Sequence, residues 1–170
     1  SALARLVNLH SPGLPIPRMS LLKWAWRLAI WPEAVLRRLI ARSPERWVHR
    51  NVHYCDETLK SREEHEEYAA PLRTPEGVHA FAGHLVQSLS PDDMRDFAAN
   101  VKGQGGRLPV PLQLIYARTD PMVPPDVGRR LHALIPSAEL VWLEEASHFA
   151  HVDATDRFLD AAMPFLAKAG

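Results

Sequence analysis

Residues 109–151 read PVPLQLIYARTDPMVPPDVGRRLHALIPSAELVWLEEASHFAH, and the order of apolar runs and polar breaks in them decides the fold. Leu112 to Ala117 is a nearly unbroken apolar run that stops at Arg118-Thr119-Asp120. A second run, residues 140–143, stops just before Ala146-Ser147-His148. Between them Pro124-Pro125-Asp126 opens a segment with Val127, Leu131, Leu134 and Ile135 at helical spacing. Strand, crossover helix and strand make the two strands parallel, as sheet neighbours. Asp120 and His148 then sit at equivalent strand ends, and loops at the carboxyl ends of parallel strands are where open α/β sheets place their chemistry.

A carboxylate and an imidazole delivered side by side are two members of a nucleophile, base and acid relay. A neutral imidazole takes the proton from a hydroxyl or a water, because its ordinary pKa lies near working pH. The carboxylate holds the required tautomer and stabilises the imidazolium. Alone, Asp120 reads equally well as a turn residue before Pro121; its place one strand ahead of His148 is what marks it. His148 is set apart in the same way from His49, His53, His65, His79, His84 and His132, which fall on helical stretches. His151, three residues further on, is at most a neighbour of the site.

Upstream, Leu6-Val7-Asn8-Leu9-His10-Ser11-Pro12-Gly13 runs into the turn Pro12-Gly13-Leu14-Pro15-Ile16-Pro17, which forbids a helix at that point. Residues 14–106 are then expected to form an all-helical insert. Residues 19–30, 32–41 and 44–54 each join a start signal to apolar residues three and four apart. Ser43-Pro44-Glu45 is a helix entry with a serine cap, and Ser61-Arg62-Glu63-Glu64 is a capping box for a helix through Tyr68. Thr74-Pro75-Glu76 opens a helix to about Leu89, Ser90-Pro91 opens another through Val101, and the glycines of residues 102–107 return the chain to a strand. The insert's aromatics, Trp24, Trp26, Trp31, Trp47, Tyr54, Tyr68, Phe81 and Phe97, read mostly as helix packing. Arg37, Arg38, Arg42, Arg46 and Arg50 read as a solvated face partly balanced by Glu63, Glu64, Glu66 and Glu67.

Twenty basic and twenty acidic residues cancel, which removes any bulk electrostatic case for nucleic acid or an anionic membrane and favours a small, mostly apolar substrate. Cys55 is the lone cysteine, so no internal disulfide and no cysteine metal site is expected, and a cytoplasmic location fits. No apolar stretch reaches the length of a membrane span.

These motifs resemble the C-terminal part of the α/β-hydrolase superfamily, whose chain order is nucleophile, acid, histidine. Ala117-Arg118-Thr119-Asp120-Pro121-Met122-Val123-Pro124 is similar to its acid loop, and Ala146-Ser147-His148 to its histidine loop. Asp153-Ala154-Thr155-Asp156-Arg157-Phe158 stands where the family often has Glu-x-Pro-x-x-Phe, and departs from it at Asp153. The resemblance implies a partial α/β-hydrolase fold: a core strand in residues 1–13, a helical cap in residues 14–106, and a C-terminal core in residues 107–170. It implies Asp120 and His148 as catalytic acid and base, with no cofactor and no metal.

No Gly-x-Ser-x-Gly occurs in the sequence, and the family's oxyanion-hole loop is missing too. The nucleophile is therefore expected upstream of Ser1, in a missing N-terminal half of the same protein, which is the one expected macromolecular partner. Alone the chain is expected to be inactive and, with an open sheet edge, poorly soluble. Three functions stay open: an esterase-like serine hydrolase, a haloalkane dehalogenase or epoxide hydrolase with an aspartate nucleophile, and a non-catalytic binding module or subunit of the same fold.

Overall fold

The computed structural model describes residues 3–17, 32–88 and 90–168. They fall into two compact units, one drawn from residues 1–15, 54–56 and 92–170 and the other from residues 16–53 and 57–91.

The first unit holds a three-stranded sheet, β1 (Leu6–Leu9), β2 (Leu112–Ala117) and β3 (Glu139–Leu143), in the order β1-β2-β3. Every pairing is parallel; Leu6 aligns with Leu112 and Leu114 with Leu140. The central strand is buried along its whole length, as an apolar strand covered on both faces must be. Alternate side chains explain how. Ile115 and Ala117 join Leu143, Ala146, Ala150 and Ala162 in one core layer, into which Phe158 of the last helix also packs. Gln113, on the same face and 2% exposed, donates from its amide nitrogen to the Ala161 carbonyl at 3.1 Å. Tyr116 points to the other face, against the crossover helix.

The helices of this unit are α5 (Pro91–Gly103), α6 (Pro125–Leu134), α7 (Ala150–Asp153) and α8 (Thr155–Ala167). The crossover α6 buries Val127, Gly128 and Leu131, as its spacing predicts. The reading from sequence ends the insert at residue 106, whereas from Asp92 onward α5 groups with the sheet unit.

The second unit contains α1 (Pro32–Arg42), α2 (Pro44–Asn51), α3 (Arg62–Ala69) and α4 (Pro75–Ser88) around Ile40, Val48, Ala69, Leu72 and Val78. Trp47 and Phe81 pack edge to face on that cluster, with centroids 6.3 Å apart, which is the packing role expected of them. Tyr68 and Phe97 are instead exposed, at 39% and 38%. Trp24, Trp26 and Trp31, with the helix expected over residues 19–30, lie outside the described residues.

Ser61 caps α3 by accepting from the Glu64 amide at 3.0 Å, and Thr74 caps α4 by accepting from Gly77 at the same distance. Ser43 precedes Pro44 without a side-chain cap bond. Of the acidic run on α3, Glu66 pairs with Arg62 of its own helix. The helix α2 stops at Asn51, short of the expected Tyr54, because Val52 turns extended and the next residues serve the other unit. There Tyr54, 4% exposed, lies edge-on to Phe149, and the Cys55 amide donates to Asp153 at 2.7 Å. Tertiary contacts thus override the local helical pattern. Among the described residues no helix is long and apolar enough to cross a membrane.

Candidate active site

The apolar run of β2 ends at Ala117, and the turn that follows delivers Asp120 to a position where its residue is 5% exposed. A buried carboxylate must be satisfied, and this one is. Its Oδ1 accepts from the backbone amides of Met122 at 2.7 Å and Val123 at 2.9 Å. Its Oδ2 meets Nδ1 of His148 at 2.8 Å. The Val-Pro sequel has a physical role here: Val123 is buried, so its amide is held on the acid, and Pro124 leads directly into α6.

His148 arrives from β3 through a turn in which Glu145 adopts a left-handed backbone, φ 48°. That conformation is unfavourable for a residue with a side chain, and Arg157 on α8 holds it. One guanidinium nitrogen donates to the carbonyls of Glu144 and Glu145, each at 2.9 Å, and the other pairs with the Glu145 carboxylate. Thr119 joins the two loops by donating to the Ala146 carbonyl at 2.8 Å. Asp153 accepts from the Ser147 amide at 3.2 Å as well as from Cys55. The residue that departs from the family pattern therefore still serves the histidine loop.

The two residues read from sequence are thus brought into direct contact. The His148 side chain is 25% exposed while that of Asp120 is fully enclosed, so the pair opens to solvent on the imidazole side. Burial by itself would push the Asp120 carboxyl up. The hydrogen bond from His148, the amides of Val123 and Met122 and the electrostatic attraction of His148 outweigh it and hold the group below its ordinary 3.8. His151 is exposed on α7, its ring 6.1 Å from that of Phe149, and has no part in the pair.

His10 is the residue that reading the sequence passed over. It follows β1, is 2% exposed and takes a left-handed backbone, φ 53°. Its Nε2 accepts from the Ala117 amide at 2.7 Å, and its Nδ1 lies 3.0 Å from the His148 carbonyl oxygen. Its ring stacks on that of His148, with centroids 5.7 Å apart and planes 29° apart. Burial lowers its pKa below 6.5, and the nearby His148 adds to this, against the opposing pull of Asp120, the His148 carbonyl and Asp153. Ligating atoms of His10, Asp120 and His148 lie within 4.8 Å of one another. Both ring nitrogens of His10, Nδ1 of His148 and both oxygens of Asp120 are within hydrogen-bond distance of protein partners.

Comparison with known proteins agrees with this architecture. A 2-hydroxy-6-oxononadienedioate/2-hydroxy-6-oxononatrienedioate hydrolase from Pseudomonas sp. is 31% identical over 110 residues, covering 59% of this chain and 38% of that protein. An alpha/beta hydrolase fold protein from Burkholderia ambifaria superposes with a TM-score of 0.64 at 19% identity, over 94% of this chain and 55% of that one. The 2-hydroxy-6-oxo-6-phenylhexa-2,4-dienoate hydrolase of Rhodococcus sp. strain RHA1 gives 0.61 at 21% identity, over 97% and 56%. The chain therefore spans little more than half the length of those solved structures, and its match covers less of the curated relative. The alpha/beta hydrolase fold family matches residues 22–155, which takes in β2, the crossover helix and β3 together with the acid and histidine loops, and the chain belongs to that family.

Proposed function

We propose that Asp120 and His148 are the acid and base of a nucleophile-histidine-aspartate triad in a hydrolase acting on a small, mostly apolar, ester-like carbonyl substrate. The observation that carries this reading is the 2.8 Å contact between a fully enclosed carboxylate and an imidazole that still reaches solvent. With Nδ1–H donated to Asp120, the lone pair of Nε2 is available to take a proton from a nucleophile. The nucleophile, a serine in this reading, comes from outside the 170 residues, since no Gly-x-Ser-x-Gly is among them. Its hydroxyl oxygen attacks the carbonyl carbon as His148 takes the proton. His148 then returns that proton to the leaving group, and a water activated in the same way hydrolyses the covalent intermediate. The curated relative supports the broader class, since it too is a hydrolase.

The test is turnover of p-nitrophenyl acetate and of 2-hydroxy-6-oxononadienedioate by the whole enzyme carrying His148→Ala or Asp120→Asn. Loss of a triad member lowers kcat by about 10⁴-fold for Asp120→Asn and up to about 10⁶-fold for His148→Ala, with the fold intact by circular dichroism. Turnover within about threefold of the parent for His148→Ala would remove it from the chemistry.

A further inference from the structure

Both ring nitrogens of His10 are committed to main-chain groups, so it has no free lone pair with which to move a proton. Nε2 faces an N–H and must be the acceptor, which leaves the hydrogen on Nδ1, donated to the His148 carbonyl. Of the three protonation forms of an imidazole, only this neutral tautomer satisfies both contacts. The imidazolium and the other neutral tautomer would each set two N–H donors against one another at Ala117.

We propose that His10 is a positioning residue for the base: it ties the main chain of His148 to the end of the strand that carries Asp120, and its stacked ring fixes the plane in which Nδ1 meets the acid and Nε2 faces the reacting proton. This rests on the reading of His148 as the base. The observations converge on it from three sides. The hydrogen bond to Ala117 anchors His10 to β2, three residues before Asp120. The bond to the His148 carbonyl holds the histidine loop at the residue that matters. The left-handed backbone at His10 is the unfavourable conformation that aims its ring between them. Tyr116 steadies the same segment, donating from its hydroxyl to the Ser11 carbonyl at 2.6 Å and lying edge-on to the His10 ring at 6.1 Å.

A merely structural role would satisfy two buried backbone groups and nothing more, and two amide variants separate the cases. Asn places its side-chain nitrogen near Nδ1, so His10→Asn keeps the bond to the His148 carbonyl and gives up Ala117. Gln reaches the place of Nε2, so His10→Gln keeps Ala117 and gives up His148. Each leaves one backbone group unpaired. In the whole enzyme with p-nitrophenyl acetate, His10→Asn and His10→Gln each break one arm of the bridge and His10→Phe breaks both, so all three lose about 30-fold or more in kcat with KM within about twofold. A kcat within about threefold of the parent in any of the three, or a loss that appears in KM and not in kcat, overturns the proposal.

Histidine ¹⁵N spectra of the unsubstituted protein give a readout that no folding defect can obscure. His10 is expected as the neutral Nδ1–H tautomer at about pH 7.5; an Nε2–H tautomer or an imidazolium there overturns the proposal as well. Should His148→Ala retain turnover while His10 shows the expected tautomer, the base assignment has failed and the bridge has not.

Discussion

Asp120 and His10 give the site a common response to acid, through opposite forms of charge. The Asp120 carboxyl titrates lower in the folded protein than its ordinary 3.8. Its contribution to stability is therefore complete above the ordinary carboxylate range and is lost as pH falls through the folded value. His10, buried and neutral, also titrates below its ordinary 6.5. As pH falls below about 6.5 the unfolded chain takes up this proton first, so stability declines from there until the folded His10 is itself protonated. Neither group adds slope above pH 7. Melting temperatures of the parent and of His10→Phe should therefore converge as pH drops from about 7.5 to 5, since only the parent has this histidine to protonate. A gap that stays constant or widens would mean that His10 is not held neutral by burial. At this scale Asp120 and His148 were legible because each ends an apolar strand, and the crossover rule makes those strands neighbours. His10 was not, because what defines it is a pair of side-chain to backbone bonds reaching 107 and 138 residues along the chain. Arg157 and Asp153 escaped for the same reason: nothing in local pattern says which distant carbonyl or amide a side chain will meet.

The strand-helix-strand unit β2-α6-β3 places the pair, and its geometry depends on how closely α6 approaches the sheet. Gly128 sets that distance. A Cβ there would lie 2.7 Å from Tyr116 Cδ2 and 2.9 Å from Cγ, the near side of a ring that is fully buried and tied by its hydroxyl to Ser11. That ring cannot swing aside, so Gly128→Ala must push α6 outward, at a cost of about 1–3 kcal/mol. The same change at Gly83 on α4 meets nothing within 4 Å. There the better helix propensity of alanine governs, and Gly83→Ala should stabilise by about 0.5–1 kcal/mol. Denaturant melts of the two variants check this, and equal signs would show that the close approach at Gly128 is not limiting. The glycine in the crossover helix could be seen in the sequence, but not the reason for it, since the ring it abuts lies on another element. Helices with strong caps were legible in extent, as Ser61 and Thr74 show. The end of α2 was not, because Tyr54 and Cys55 are recruited by Phe149 and Asp153, on a segment almost a hundred residues away.

For the molecule as a whole, what the sheet unit leaves uncovered is as telling as what it buries. The last helix, α8, packs Ala162 and Phe165 inward but leaves Leu159, Met163 and Leu166 exposed at 43%, 54% and 47%. Their spacing makes one apolar stripe along the helix. Leu3, three residues ahead of β1, and Leu6, its first residue, are exposed at 52% and 39%, and the one strand partner of β1 among the described residues is β2. A helix apolar on two faces is normally buried on both, and an edge strand with exposed leucines invites pairing. The 170-residue chain by itself should therefore bind the dye ANS and sediment as species heavier than a monomer at tens of micromolar, as its open sheet leads one to expect. The triple substitution Leu159→Glu, Met163→Lys, Leu166→Glu removes the stripe without touching Ala162 or Phe165, and should lower both signals while leaving the His148–Asp120 contact in place. If the unsubstituted chain is a clean monomer that does not bind the dye, the exposed stripe is tolerated by the isolated chain, and the expectation that the face is normally covered by more of the same fold loses its physical basis.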